Sequence, residues 1–300
     1  MKEKLKQFCR SQGLEYVGIA PPGPYPELAA ILHDRMAKGQ CTEFDGPEIA
    51  KRIDPRLTMA DVQSVIVCLF PYYIGHQAPA NLAKYTYGLD YHHIIRRKLD
   101  EIGIYLQANI PGFAYQPFVD TGPLVDRYLA YLAGLGFYGI NSHIITDKYG
   151  SYVFIGYLLT NYPFAPDRPQ NRTCIQCGQC VKMCPGQIIL GNFAIDPRGC
   201  RSYLTQKKGD LSPAEISIIQ KTGLVFGCDV CQDVCPHNRD VALTPLAEFR
   251  QQLLPWLDET EVAALSNKEF TCRYGDRAFS WRGKKILLRN FAYIQGRQCR

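Results

Sequence analysis

The sequence predicts an α/β fold, of the α+β kind, in three parts: a sheet domain, a two-cluster ferredoxin-like module and a short helical C-terminal segment. Three observations carry this. Helical and strand-like stretches alternate over residues 1–165, eight of the thirteen cysteines fall between Cys174 and Cys235, and residues 241–300 return to a helical pattern. With 300 residues, 46% of them hydrophobic, the chain is long enough for one large domain or two ordinary ones. No apolar run reaches the about 18 residues that a membrane span needs. The charged, amphipathic start MKEKLKQFCRSQGLEYVGIA lacks the apolar core of a signal peptide. The expected protein is cytoplasmic, off the membrane and monomeric.

Residues 2–13 read as the first helix and EYVGIA as a short strand, before the prolines of PPGPYPEL break the pattern. A helix follows over 26–38. SVIVCLFPYY, rich in β-branched and aromatic residues, reads as a buried strand ended at Pro71. Ile94, Ile95, Leu99, Ile102 and Leu106 recur near helical spacing and predict a helix over 91–108. YQPFVD is a strand running into a loop, LVDRYLAYLAGLG a helix closing on glycine, and SYVFIGYLLT a further strand. The proline-rich NYPFAPDRPQNRT reads as a linker, which sets the expected domains at 1–165, 166–240 and 241–300. Neither GxGxxG after a strand nor GxxxxGK[ST] is present, which argues against the two common nucleotide-binding loops.

CIQCGQCVKMCPG sets Cys174, Cys177, Cys180 and Cys184 at C-x2-C-x2-C-x3-C-P. At this spacing three thiolates wrap corners of one cubane and the fourth points to a second cluster. Zinc also takes four thiolates, but usually from two separated CxxC pairs. Downstream, FGCDVCQDVCPHN supplies Cys228, Cys231 and Cys235, with Val234 where a middle cysteine would stand. By the crossing logic of two-cluster ferredoxins, Cys235 completes the first cluster with Cys174, Cys177 and Cys180. Cys184 then joins Cys228 and Cys231 in the second. Cys200, in DPRGCRSYL, is the predicted fourth ligand there; its alternative is an incidental buried thiol. Cys9, Cys41, Cys68, Cys272 and Cys299 read as incidental. Two [4Fe–4S] clusters make an electron wire, so residues 1–165 must hold what receives the electrons.

Charge is uneven along the chain. Residues 273–300 carry eight Lys/Arg against Asp276 alone, in a chain of net charge +6. Such a segment is either a solvated helix face or a phosphate-facing surface. Lys284, Lys285 and Arg289 are the candidate nucleic-acid contacts.

YTYGLDYHHIIRRKL (85–99), FVDTGPLVDRYLAYLAGLGFYGIN (118–141), GSYVFIGYLLT (150–160) and WRGKKILLRNFAYI, taken with the cysteine pattern, resemble the epoxyqueuosine reductase family. The similarity runs over essentially the whole chain. It implies a nitroreductase-like, cobalamin-binding N-terminal domain beside the two clusters. It also implies reduction of epoxyqueuosine to queuosine at the wobble position of tRNA. Electrons would come from an external low-potential donor of the ferredoxin or flavodoxin type and pass through the clusters to cobalamin, whose cobalt can accumulate them. Asp120 matches the family's proton donor, a role for which its carboxyl pKa must be raised. Alone, Asp120 before Thr-Gly-Pro would read as a turn or capping residue. Tyr87, Asp90, Tyr91 and His92 match a segment close to the cofactor, and Arg52 and Asn141 are further expected cofactor contacts. Without the resemblance, His92 and His93 would be an exposed pair at a helix start. Three features depart from the family pattern: Ile140 stands in GIN where a lysine is usual, the chain is expected to lack the C-terminal helical-repeat domain of longer members, and GFYGINSHIIT is less polar than expected at that edge of the pocket. They keep two alternatives in play, a cobalamin and iron–sulfur reductase of a small epoxide or organohalide, and a non-catalytic electron carrier.

Overall fold

SVIVCLFP forms a central strand of a four-stranded sheet in the computed structural model, which describes residues 1–46 and 48–297. Helix α1 (Lys2–Ser11) precedes β1 (Val17–Ala20). Helices α2 (Pro26–Ala37) and α3 (Ile49–Ile53) lead to β2 (Ser64–Pro71). Then come α4 (Tyr91–Asn109), β3 (Tyr115–Val119), α5 (Asp126–Leu132), the short β4 (Phe137–Tyr138) and β5 (Ile144–Ile145), and β6 (Val153–Thr160). The strand order is β1-β2-β6-β3 and every pairing is antiparallel.

Alternation along β2 sends Ile66, Cys68 and Phe70 to one face and Val65, Val67 and Leu69 to the other. Helix α4 covers the first face with Ile94, Ile95, Leu99, Ile102 and Leu106. Gly156 on β6 permits that approach, since a Cβ there would stand 2.8 Å from the Ile95 side chain. Helix α5 closes the opposite face with Leu129 and Ala130.

Residues 161–173 are strapped to the sheet domain rather than forming a free linker. Phe164 is buried, and the Asp167 carboxylate accepts the Ile19 backbone N–H at 2.9 Å while pairing with Lys2 and Lys6. Proline content set the extended shape; an acidic side chain, unreadable as an anchor, fixed it in place.

The cysteine module comprises α6 (Gln179–Met183), the hairpin β7 (Ile189–Gly191) and β8 (Ala194–Ile195), α7 (Arg201–Leu204), α8 (Pro213–Ile219) and α9 (Val230–Asp233). Helices α10 (Glu259–Ala264), α11 (Asn267–Tyr274) and α12 (Lys284–Ile294) follow. They are not a tail. Val262, Phe270, Phe279, Leu287 and Phe291 share one core with Leu82 and Tyr87 of the first segment and Val225 and Phe226 of the module. Leu246 and Phe249 return to the core beneath α4. No helix among the described residues is long and apolar enough to cross a membrane. Cys299 lies outside the described residues.

Candidate active site

Asp90 caps α4, its Oδ1 accepting the His92 backbone N–H at 3.0 Å. The same oxygen lies 2.6 Å from His92 Nδ1. On the far side of the ring, His92 Nε2 stands 3.4 Å from Asp120 Oδ2, and the Tyr91 hydroxyl donates to that oxygen at 2.7 Å. Asp120 sits just past β3 with φ +54, a left-handed conformation that costs a non-glycine residue strain and recurs at functional sites. Aromatic stacking fixes the frame: Tyr91 lies 4.1 Å from Phe154 and 4.1 Å from the His92 ring, centroid to centroid.

Desolvation pushes the Asp120 carboxyl up, but hydrogen bonds from His92 and Tyr91 outweigh it and hold the group below the usual carboxylate range. Desolvation lowers His92, and the Asp120 and Asp90 carboxylates more than reverse this, lifting it to about 9. At neutral pH the pair is therefore carboxylate and imidazolium. In the protein alone nothing holds Asp120 protonated: its side chain is 60% exposed and lies beside His92.

Sequence reasoning missed two neighbours of this group. Tyr85 lies 6.5 Å from Tyr91, ring to ring; the charges of Asp229, Asp120 and Cys200 add to desolvation in raising its pKa. It thus stands between the proton site and the cysteine module. Asp126, at the start of α5, is driven well above the normal carboxyl range by desolvation and by the Asp120 charge, and its Oδ1 is buried without a partner.

In the module, Cys174, Cys177, Cys180 and Cys235 line one cavity, with Ile140 and His237. Cys184, Cys200, Cys228 and Cys231 form a second group, each close enough to feel another's charge. Among the described residues no three His, Cys, Asp or Glu side chains converge on a point fit for a single ion; the first group surrounds a space instead. His237 Nε2 faces that space buried and without a hydrogen-bond partner. Both features suit a sulfur-bearing cluster. Of the eight cysteines only Cys177 is fully exposed.

Other expected residues fall elsewhere. Tyr87 is a core residue with Val225 and Phe226, 4% exposed and raised to about 12 by burial; the hydroxyl against Asp120 belongs to Tyr91. Arg52 pairs with Asp45 at 3.4 Å. Asn141 is buried and donates from Nδ2 to the Cys231 carbonyl at 3.2 Å, which ties the β4–β5 turn to the module. Ile140 is 8% exposed and packs on Cys174, Cys180 and Cys184. Arg289 does not present its charge to solvent: it is 7% exposed and donates to the carbonyls of Leu204, Lys207 and Gly209. Lys284 donates to the Leu265 carbonyl, and Lys285 alone of the three is exposed. Arg273, Arg282 and Arg297 are paired with Glu261, Glu43 and Glu259. The basic segment is mostly knit into the protein.

Fold and site together define an iron–sulfur oxidoreductase with a proton-holding carboxylate and imidazole beside its cysteine module. Comparison with known proteins agrees. Residues 173–238 match the 4Fe-4S double cluster binding domain, and residues 52–121 match the family described as epoxyqueuosine reductase QueG, DUF1730. The epoxyqueuosine reductase of Lactococcus garvieae (strain Lg2) is 33% identical over 311 residues, 99% of this chain and 86% of that protein. That of Listeria monocytogenes serovar 1/2a (strain ATCC BAA-679 / EGD-e) is 35% identical over 313 residues, 99% and 80% respectively. A crystal structure of epoxyqueuosine reductase with a tRNA-Tyr epoxyqueuosine-modified stem loop superposes with a TM-score of 0.89 at 31% identity, covering 98% of this chain and 80% of that one. The chain belongs to the epoxyqueuosine reductase family. Its cofactors are two [4Fe–4S] clusters and cobalamin. The exposed Asp120 carboxylate, with the His92 Nε2 3.4 Å behind it, fits a site completed by a bound group.

Proposed function

We propose that this chain reduces the epoxide of epoxyqueuosine in tRNA to the double bond of queuosine. The carrying observation is the Asp90–His92–Asp120 group, a held proton behind an exposed carboxylate, in a chain of this family. Removing an epoxide oxygen as water takes two electrons and two protons. Cobalamin, when bound, supplies a cobalt centre that gathers electrons delivered one at a time. The protein's own residues manage the proton. Asp90 and Asp120 keep His92 charged, Tyr91 fixes Asp120, and His92 Nε2 supplies one proton through Asp120 Oδ2 to the departing oxygen; solvent, which reaches the exposed Asp120 carboxylate, supplies the second, completing water. Tyr91, His92 and Asp120 would line the side on which cobalamin is held.

In this reading Cys174, Cys177, Cys180 and Cys235 hold the first cluster, and Cys184, Cys200, Cys228 and Cys231 the second. Electrons come from an external ferredoxin- or flavodoxin-type donor at Cys177, the exposed cysteine. Lys285 is the phosphate contact retained from the sequence expectations. The protein works as a cytoplasmic monomer. The small-molecule alternative leaned on Ile140, whose burial against the first cysteine group supports a different role for that position.

The deciding experiment is anaerobic turnover of epoxyqueuosine-containing tRNA by protein reconstituted with both clusters and cobalamin, read by nucleoside mass spectrometry. Loss of one oxygen, dependent on cobalamin and on Asp120 and His92, is expected. No conversion by fully loaded protein would overturn the proposal.

A further inference from the structure

Arg201 opens α7 immediately after Cys200 and is 1% exposed, yet among the described residues no carboxylate answers its charge. All its hydrogen bonds go to main-chain carbonyls. Nη1 donates to Gly227 at 2.8 Å, Nε to Ile219 at 3.1 Å, and Nη2 to Ile219, Thr222 and Leu224. Carbonyl dipoles solvate a guanidinium without neutralising it, and a buried cation lacking an anion is costly. Arginine stays protonated in proteins, and the place of Arg201 is set by geometry: it follows Cys200 directly, and its Nη1 bond to the Gly227 carbonyl brings the guanidinium to the residue before Cys228. A second donor reaches the same cysteine group independently. His143 Nε2 lies 3.7 Å from Cys231 Sγ, where the Nε2–H tautomer donates to sulfur.

We propose that Arg201 is the internal counter-cation of the second cluster and that, with the His143 N–H on Cys231, it makes that cluster easier to reduce. This rests on the ligand assignment given above. A [4Fe–4S]2+ core with four thiolates carries two net negative charges. Accepting one electron from the first cluster, which is oxidised by one, adds a third. A fixed cation and an N–H···S bond both stabilise the reduced form more than the oxidised form, and so raise the potential. Among the described residues no carboxylate pairs with Arg201, so its charge acts on the cluster. Electrons arriving at Cys177 are thereby drawn toward the cysteine group that Tyr85 links to Asp120.

The test is an EPR-monitored redox titration of the reconstituted holoprotein, resolving both clusters. Arg201→Gln keeps donors for the carbonyls and removes the charge. It should lower the ratio of reduced to oxidised second cluster at least tenfold at a fixed applied potential, ~59 mV for one electron, leaving the first cluster unmoved. Arg201→Lys should restore the potential. A second variant keeps Arg201 itself: Thr222→Asp introduces a carboxylate on a half-buried loop residue whose backbone carbonyl accepts from the guanidinium, and should lower the same potential. An unchanged second-cluster potential in either folded variant, or an equal shift of both clusters, overturns the inference. Absence of a second cluster from the wild-type protein would instead overturn the ligand assignment on which it rests.

Discussion

Replacing Asp120 by Asn should lower the pKa of His92 and move the pH profile of the enzyme with it. The structure sets the size of the effect. Two carboxylates lift the imidazole from 6.5 to about 9 against desolvation. At about 1.4 kcal/mol per pH unit this is about 3 kcal/mol in favour of the imidazolium. His92 is 32% and Asp120 60% exposed, so solvent screening leaves about half of that. Asp120, whose hydrogen bond is the largest raising contribution, and Asp90, at 2.6 Å, share it about equally. Asp120→Asn should therefore lower His92 by about half a pH unit, or roughly 0.7 kcal/mol.

The assay is an NMR titration of the imidazole Cε1–H signals of the six histidines, with His92 assigned by its loss in His92→Gln. Because the folded-state pKa lies above the unfolded 6.5, the pair stabilises the fold fully below 6.5 and loses that contribution as pH rises through about 9. Wild-type turnover should fall over the same upper range, because the proton is held on an imidazolium. A proton donor that was itself a carboxylic acid would lose activity with rising pH far lower, in the carboxylate range. A wild-type His92 titrating at or below 6.5, or one unmoved by Asp120→Asn, would refute the reasoning.

Three further outcomes follow from the same geometry. Cys200→Ser should halve the iron content and remove one EPR signal while leaving the fold intact by circular dichroism, since Cys200 groups with Cys184, Cys228 and Cys231. Arg289→Ala should cost about 3 kcal/mol, as a buried cation is lost and the Leu204, Lys207 and Gly209 carbonyls go unsatisfied; the thermal midpoint should drop by roughly 6–10 °C, whereas Lys285→Ala should weaken tRNA binding at low salt and spare stability. Gly150→Ala should destabilise by about 1–3 kcal/mol, measured by denaturant unfolding, because φ is +55 and the new Cβ would stand 2.0 Å from Asn238 Oδ1, the acceptor of the Ser151 N–H.

What could be read from the sequence was whatever a short covalent spacing dictates. The helix of residues 91–109, the buried strand 64–71 and the cysteine motif are local patterns, and each declared itself. Roles that depend on a partner far along the chain did not. Arg289 looked like a phosphate contact because its carbonyl acceptors lie 80 or more residues upstream. Asp167 turned an apparent linker into a strap through Ile19, 148 residues away.

The proton site shows the same division within a few residues. Asp90 and His92 share one helix start, so their contact is foreseeable as a cap, yet the charge state of the pair depends on Asp120, which only the folded β3 loop delivers. The family resemblance named Asp120 but carried with it a protonated carboxyl, since a donor role was expected to need one. The folded site sets that carboxyl against an imidazole and a tyrosine hydroxyl, so its proton delivery is linked to His92 and Tyr91 rather than to burial alone. The chemistry of this site therefore lies in how two carboxylates are divided across one histidine ring, an arrangement that no single stretch of the sequence contains.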